Sequence, residues 1–211
     1  MNFINKLTKC SIVAACLTFS LNAVADAASD LQAKLSNINT FEAQFSQRVL
    51  DEQGNVLQQG SGNIALAHPL KIYWQQQQPD ETLFVSDGHK TFYYDLFAEQ
   101  VTVMNTSSLI DTTPFVLLTS RAQEQWAKYQ VTQTETGYKI TPTEGVESQV
   151  EVLEIEFSQE QSLQGIKVKD VSGQISNFSF HNPQVNSSLA PDLFSFAVPK
   201  GVIVDDQTQG E

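Results

Sequence analysis

Residues 70–105 have the sequence LKIYWQQQQPDETLFVSDGHKTFYYDLFAEQVTVMN, which indicates the fold class most clearly. Aromatic and β-branched residues occur in short runs at 70–76, 82–85, 91–95 and 100–105, separated by turn-forming groups such as Gln78-Pro79-Asp80 and Asp87-Gly88. Links this short join strands of opposite direction, because a parallel crossover needs a dozen residues or more. The stretch therefore predicts successive antiparallel hairpins.

The same pattern continues on both sides. Phe41, Ala43, Phe45 and Val49 alternate with polar residues, and the further strands that we expect lie at 56–67, 130–134, 138–141, 150–157, 165–169 and 175–180. The apolar residues of 150–157 do not share one phase, which predicts a bulge. The tail at 194–204 alternates again. About ten strands predict one large antiparallel sheet curved on itself, whose concave face is either packed with side chains or open as a ligand cavity.

Short helical segments interrupt the strands. Leu31, Leu35 and Ile38 recur at helical spacing, which predicts an amphipathic helix over 26–38. Thr113-Pro114 opens an apolar turn at 115–118, and a polar helical or irregular segment with Trp126 follows at 121–129.

The first 25 residues have the pattern of a cleavable secretory signal. Lys6 and Lys9 precede an apolar run at 10–21, and Ala23-Val24-Ala25 is the small-x-small pattern after which a signal peptidase cuts. The run is shorter than the ~20 residues that a membrane-spanning helix needs. We therefore predict a signal peptide at 1–25 and a single domain at 26–211.

A second interpretation of this region is a lipoprotein signal, because Val13-Ala14-Ala15-Cys16 looks like a lipobox whose cysteine is acylated. Few residues separate Lys9 from Cys16, and the apolar run continues past the cysteine to the cleavage site, so cleavage after Ala25 is favoured. That cleavage removes Cys10 and Cys16 and leaves a chain with neither disulfides nor thiol ligands.

Composition excludes several classes of function. The chain has 12 basic and 24 acidic residues and a net charge of −12, which argues against nucleic acid and anionic membrane surfaces as partners. It has no G-x-S-x-G, H-E-x-x-H, P-loop or S-x-x-K motif, and its three histidines lie far apart. We therefore predict no catalytic residue, no metal site and no cofactor, and take a monomer as the default.

Several motifs, in order along the chain, resemble those of the outer-membrane lipoprotein carrier family LolA. They are Phe41-x-x-x-Phe45-x-Gln47, Gln78-Pro79-Asp80-Glu81, Val85-Ser86-Asp87-Gly88, Tyr94-x-x-x-x-Glu99-Gln100-Val101, Thr113-Pro114-Phe115, and Phe194-x-Phe196-x-x-Pro199-x-Gly201-Val202-x-Val204-Asp205-Asp206. The resemblance implies an incomplete antiparallel β-barrel with a short α-helical lid over an apolar cavity. It also implies a periplasmic carrier that receives acylated outer-membrane lipoproteins from the inner-membrane transporter LolCDE and passes them to the receptor LolB.

The resemblance assigns roles to particular side chains. Ile72 and Trp74 match positions that line the family's cavity, and the aromatic hairpins, with Phe84 and Tyr93, become its wall. The lid residues are Leu31, Leu35, Phe115, Leu117 and Leu118.

One position departs from the family. In relatives an arginine precedes the proline of the loop that corresponds to His68-Pro69 and hydrogen-bonds the lid shut. An imidazole has fewer donors and is neutral near pH 7 unless its environment raises its pKa. The hypothesis is that the latch is weaker, pH-sensitive or moved elsewhere.

Two alternatives remain open in the sequence. A LolB-like anchored receptor has the same fold but needs an acylated N-terminal cysteine. A periplasmic lipid-active hydrolase needs a nucleophile with a base, and no motif for one is found.

Overall fold

A computed structural model describes residues 22–109, 114–160, 162–190 and 192–208. The three α-helices are α1 (Asn22–Ser36), α2 (Pro114–Thr119) and α3 (Gln123–Trp126), and a 3-10 turn covers Thr106–Leu109. The strands are β1 (Thr40–Leu50), β2 (Val56–Ala67), β3 (Lys71–Gln78), β4 (Thr82–Asp87), β5 (Lys90–Asp95), β6 (Gln100–Asn105), β7 (Tyr129–Gln133), β8 (Gly137–Pro142), β9 (Val150–Phe157), β10 (Leu163–Asp170), β11 (Ile175–Val185) and β12 (Ile203–Asp206).

The strands form one open sheet of twelve, in the order β12-β6-β5-β4-β3-β2-β1-β11-β10-β9-β8-β7. Every neighbouring pair from β6 to β7 is antiparallel. The two ends of the sheet, β12 and β7, do not pair with each other. An unclosed antiparallel barrel with few helices is therefore confirmed.

The C-terminal tail differs from the prediction. Only Ile203–Asp206 forms a strand, and it pairs with β6 in the parallel direction, through bonds such as that from the Ile203 N–H to the Glu99 carbonyl at 2.9 Å. A parallel partner is possible because the chain runs irregularly from the end of β11 across the outside of the sheet before it reaches β6. The alternation at 194–204 reflects this packing and not a continuous strand.

The outer, convex face has a small core of its own beneath that tail. Val85, Val101 and Val103 are at most 5% exposed there. Phe194 is buried, and the Phe196 ring lies 5.3 Å from Phe92. The tail thus covers the outer side of β3–β6.

The concave face carries the main core. It joins Phe41 and Phe45 of β1 to Ile64, Leu66 and Ile72 of β2 and β3, and it continues into the helices. The predicted bulge in β9 is confirmed, since Lys169 lies opposite Val152 and Asp170 opposite Val150, which leaves Glu151 as an extra residue.

Removal of the tail's buried ring is expected to destabilise the fold. Phe194→Ala should lower the free energy of unfolding by roughly 3 kcal/mol, because it empties a site beside the convex face. Val198→Ala is the matched control: Val198 lies on the same segment, 41% exposed, and its truncation should change stability by less than about 0.5 kcal/mol. Urea unfolding measures both, and equal effects would contradict the covering role of the tail.

Candidate functional site

Helices α1 and α2 lie over the concave face and fill it with leucine side chains. Leu31 and Leu35 of α1 are 0% and 6% exposed, and Leu117 and Leu118 of α2 are 2% and 5% exposed. All four belong to the same cluster as the sheet residues beneath them. The space left between Leu35, Leu118 and the sheet has a volume of only about 20 Å³. Lid and wall are therefore closed against each other.

The lid elements begin and end close to the predicted positions. Helix α1 begins at Asn22 and ends at Ser36, and Ile38 follows it and packs against the core. Pro114 is the first residue of α2, a position where its missing N–H costs nothing. Phe115 lies in α2, but its side chain is outside the described residues, as are the lipobox-like 13–16 and residues 1–21 of the predicted signal peptide 1–25.

Polar contacts join the helices to one another and to the sheet. The Tyr138 hydroxyl of β8 donates to the Asp30 carboxylate of α1. The Gln123 side chain of α3 donates to the Gln32 amide oxygen of α1 at 3.1 Å. The Trp126 indole N–H donates to the Ser120 carbonyl at 3.1 Å in a buried setting. The lid is thus one connected assembly.

The predicted wall residues share the concave face. Trp74, Phe84 and Tyr93 are direct cross-strand partners on β3, β4 and β5, so their side chains point the same way. Ile72 precedes Trp74 by two residues and is 1% exposed. Trp74 stacks on Phe45 at 4.0 Å between ring centroids. Tyr93 is 37% exposed, so burial decreases along the concave face from Ile72 to Tyr93.

Three buried hydroxyls of the same region were missed by the sequence analysis. The Ser86 hydroxyl donates to the Leu70 carbonyl at 2.7 Å, and the Thr106 hydroxyl lies 3.0 Å from those of Ser86 and Thr91. Ser86 lies opposite Ile72. Strand periodicity could have indicated them. Ser86 and Thr91 lie two residues from Phe84 and Tyr93 and therefore point to the same, concave side of the sheet. The hydroxyls satisfy one another, so this polar patch stays dry.

His68 lies at the corner between β2 and β3, beneath the lid. Burial lowers its pKa from the ordinary 6.5, and the positive charge of Arg121 lowers it further. The carbonyls of Thr119, Leu35 and Ile38 favour the charged ring but are outweighed. Its Nδ1 is buried without a hydrogen-bond partner. The ring is therefore neutral at pH 7.

Arg121 makes the hydrogen bonds that the sequence analysis looked for at position 68. Its Nη2 donates to the Ser36 carbonyl and to the Asn39 amide oxygen, both at 3.0 Å. Ser36 ends α1, where unpaired carbonyls favour a cation. Arg121 lies two residues after the end of α2, so these bonds tie that segment to the last residue of α1 and to the loop that follows it. Arg121 was not predicted from the sequence because its partners lie more than eighty residues earlier.

Among the described residues, 22–109, 114–160, 162–190 and 192–208, no three His, Cys, Asp or Glu side chains come together as a possible metal site. No helix in these ranges is long and apolar enough to cross a bilayer.

Comparison with known proteins identifies the family of this chain. Residues 36–197 match the family model described as outer membrane lipoprotein carrier protein LolA. The outer-membrane lipoprotein carrier protein of Pseudoalteromonas translucida is 54% identical over 188 residues, 89% of this chain and 90% of the relative. That of Yersinia enterocolitica is 34% identical over 94% of this chain and 98% of the relative. The chain belongs to the LolA family.

A solved structure supports the fold independently. An uncharacterized conserved protein from Thermus thermophilus superposes with a TM-score of 0.51 at 10% identity, covering 87% of this chain and 99% of that protein. At this identity the likeness concerns the fold alone. The match to the family model begins at residue 36, the last residue of α1, and therefore does not cover the rest of that helix.

Loss of the Arg121 side chain is expected to loosen this LolA-family lid. Arg121→Ala should speed hydrogen exchange of the α1 amides by about fivefold, because a partly exposed hydrogen bond to a cation contributes on the order of 1 kcal/mol. Arg48→Ala, which removes an exposed guanidinium from β1, is the control and should leave α1 unchanged. Equal protection of α1 in all three proteins would show that Arg121 does not hold the lid.

Acidification is expected to destabilise the closed form through His68. Because the folded pKa is below 6.5, the stability that the neutral ring contributes is complete above pH 6.5 and is lost as the pH falls through the folded pKa. His68→Gln does not titrate and should lose less stability than wild type between about pH 8 and about pH 5. Urea unfolding at the two pH values measures this, and parallel losses in both proteins would contradict it.

Proposed function

We propose that the protein is a periplasmic carrier that shields the acyl chains of outer-membrane lipoproteins inside its concave face. The observation that carries this proposal is that the lid leucines and the sheet wall bury each other in one apolar cluster. When the lid moves away from the sheet, the apolar side chains of both become available to contact an acyl chain. Membership of the LolA family, whose members are named for this task, supports the proposal.

The energetics of a carrier fit a lid that packs on itself. An acyl chain left in water costs ~0.8 kcal/mol per CH₂, so carrying it bare across an aqueous compartment costs tens of kcal/mol for several chains. Opening the lid exposes four leucines, each of which gains about 1.5–3 kcal/mol from burial. The free energy needed to expose these leucines offsets part of the free energy that is gained when the acyl chain is buried. Net affinity is thereby lowered while the acyl chain remains sheltered, which lets the cargo be released.

The partners follow from the same scheme. The carrier takes lipoproteins from LolCDE, which supplies the energy of loading because no nucleotide-binding motif occurs in this chain. It passes them to LolB, and transfer runs towards the tighter-binding receptor. Cleavage after Ala25 leaves the carrier mobile. The mass of the mature N-terminus tests this step: an acylated cysteine would instead indicate an anchored receptor.

Direct reconstitution tests the function. The purified mature protein is mixed with vesicles that contain the transporter and a lipoprotein, ATP is added, and the vesicles are removed by centrifugation. Lipoprotein is expected in a soluble complex with the protein only when ATP is present. Lipoprotein that stays with the vesicles under conditions where a known carrier releases it would overturn the proposal.

A charge on the concave wall is expected to abolish loading. Phe84→Glu places a carboxylate on the half-buried row between Trp74 and Tyr93, and its burial against acyl chains costs several kcal/mol. Soluble complex formation should fall at least about tenfold. Leu57→Glu adds the same charge at a side chain that is 55% exposed on β2 and should load normally. Circular dichroism of both variants confirms folding, and normal loading by Phe84→Glu would contradict the assigned wall.

A further inference from the structure

Residues 37–39 join the lid helix α1 to the first strand and form the α1–β1 loop. Helix α1 ends at Ser36, and β1 begins at Thr40. A movement of α1 away from the sheet must be absorbed in this loop or at the end of the helix, because hinge motions are taken up by a few residues at the ends of elements. The contacts that hold the α1–β1 loop therefore decide where the lid pivots.

Asn186, the residue directly after β11, holds this loop to the sheet. Its Oδ1 accepts hydrogen bonds from the backbone N–H of Asn39 at 2.7 Å and, less closely, from that of Thr40 at 3.4 Å. Its Nδ2 donates to the Asn37 carbonyl at 2.9 Å. A carboxamide suits this arrangement, since its oxygen accepts while its NH₂ group donates. One side chain thus binds both ends of the α1–β1 loop.

The backbone around Asn186 supports the same contact. The φ of Asn186 is +58°, in the left-handed region that asparagine and glycine adopt more readily than most residues. Its own N–H donates to the Thr40 carbonyl at 2.8 Å, and the Thr40 hydroxyl donates to the Ser187 carbonyl at 2.7 Å. The Ser187 hydroxyl donates to Glu42 of β1 at 2.9 Å. The end of β11 is therefore firmly joined to the start of β1, and Asn186 is fixed relative to the sheet.

Arg121 makes one hydrogen bond on each side of this pivot. Its Nη2 donates to the Ser36 carbonyl at the end of α1 and to the Asn39 amide oxygen in the loop. When α1 turns away from the sheet, the Ser36 carbonyl moves with the helix. Asn39 stays with the sheet, because Asn186 holds its N–H and the His68 N–H donates to its carbonyl at 3.1 Å. Arg121 therefore fixes the closed position of α1 only while Asn39 is itself held.

We propose that Asn186 is a positioning residue of the lid, which holds the α1–β1 loop against the sheet and so gives Arg121 a fixed acceptor at Asn39. The inference deepens the proposed carrier function and rests on it in one respect, that α1 opens as a lid over acyl chains. Asn186 is exposed, and exposed hydrogen bonds add little net stability because water replaces them. Its role is to define where the lid closes. Because the closed lid competes with acyl chains, holding the loop also maintains that competition.

A double-mutant cycle between Asn186 and Arg121, measured by hydrogen exchange of the α1 amides, tests the proposal. Asn186→Gly is the variant used, since glycine accepts the left-handed backbone and removes only the side chain. Arg121→Ala should speed α1 exchange by about fivefold in the wild-type background but by less than about twofold in the Asn186→Gly background. The effect of Arg121 is reduced there because its acceptor on Asn39 is no longer held in place.

Asn182→Gly is the matched control. Asn182 also lies on β11 with a left-handed φ of +51°, and in the described part of the chain its side chain is not a hydrogen-bond partner of the α1–β1 loop. Arg121→Ala should keep its full effect of about fivefold in the Asn182→Gly background. An equal effect of Arg121→Ala with and without the Asn186 side chain would overturn the proposal, because the two residues would then act independently.

Two further measurements separate positioning from stability and from the carrier function. Amides in the middle of β1 report global stability, and Asn186→Gly should leave their exchange unchanged. Exchange that rises equally in α1 and β1 would show that Asn186 only stabilises the fold, and would also overturn the proposal. The reconstitution assay described above tests the carrier function separately. If wild type forms no soluble complex there, the carrier function fails, while the measured coupling between Asn186 and Arg121 still supports the positioning role.

Discussion

Leu31, Leu35, Leu117 and Leu118 of the lid are buried in the same apolar cluster as the concave face of the sheet, and this burial keeps water from the inner side of the open barrel. An open sheet of this curvature exposes one apolar surface, and water must be kept from it. In this protein the lid provides that cover by inserting side chains of its own. A ligand that enters the apolar cluster beneath the lid must therefore displace leucines that are already well packed, and the closed form limits how tightly such a ligand is held.

The polar contacts of the lid are few compared with its apolar burial. Arg121 is exposed and joins the segment after α2 to the end of α1 and to Asn39 in the following loop, with one hydrogen bond to each, while the neighbouring His68 is neutral. Exposed hydrogen bonds contribute little net stability, since water replaces them. The hydrogen bonds of Arg121 therefore determine the relative position of α1 and α2 more than the strength of their association. The stability of the closed lid comes mainly from burial of the leucines, so position and stability can be changed by separate substitutions.

The sequence predicted what depends on local pattern. Alternation along β3, β4 and β5 was enough to place Trp74, Phe84 and Tyr93 on one face, because a strand's phase and a short turn's register leave little choice. The parallel pairing of β12 was not predictable in this way, since it depends on Phe194 and Phe196 packing on strands a hundred residues earlier. Arg121 was missed for the same reason: its role is defined by Ser36 and Asn39, not by its neighbours.

Solvent exposure increases along the row of predicted wall residues, Ile72, Trp74, Phe84 and Tyr93. Ile72 is 1% exposed, Trp74 and Phe84 are half-buried, and Tyr93 is 37% exposed. Under the proposed carrier function, an acyl chain that meets the sheet at Tyr93 contacts the aromatic rings of this row before it reaches the lid leucines, so these partly exposed rings offer apolar contact while the lid is still closed.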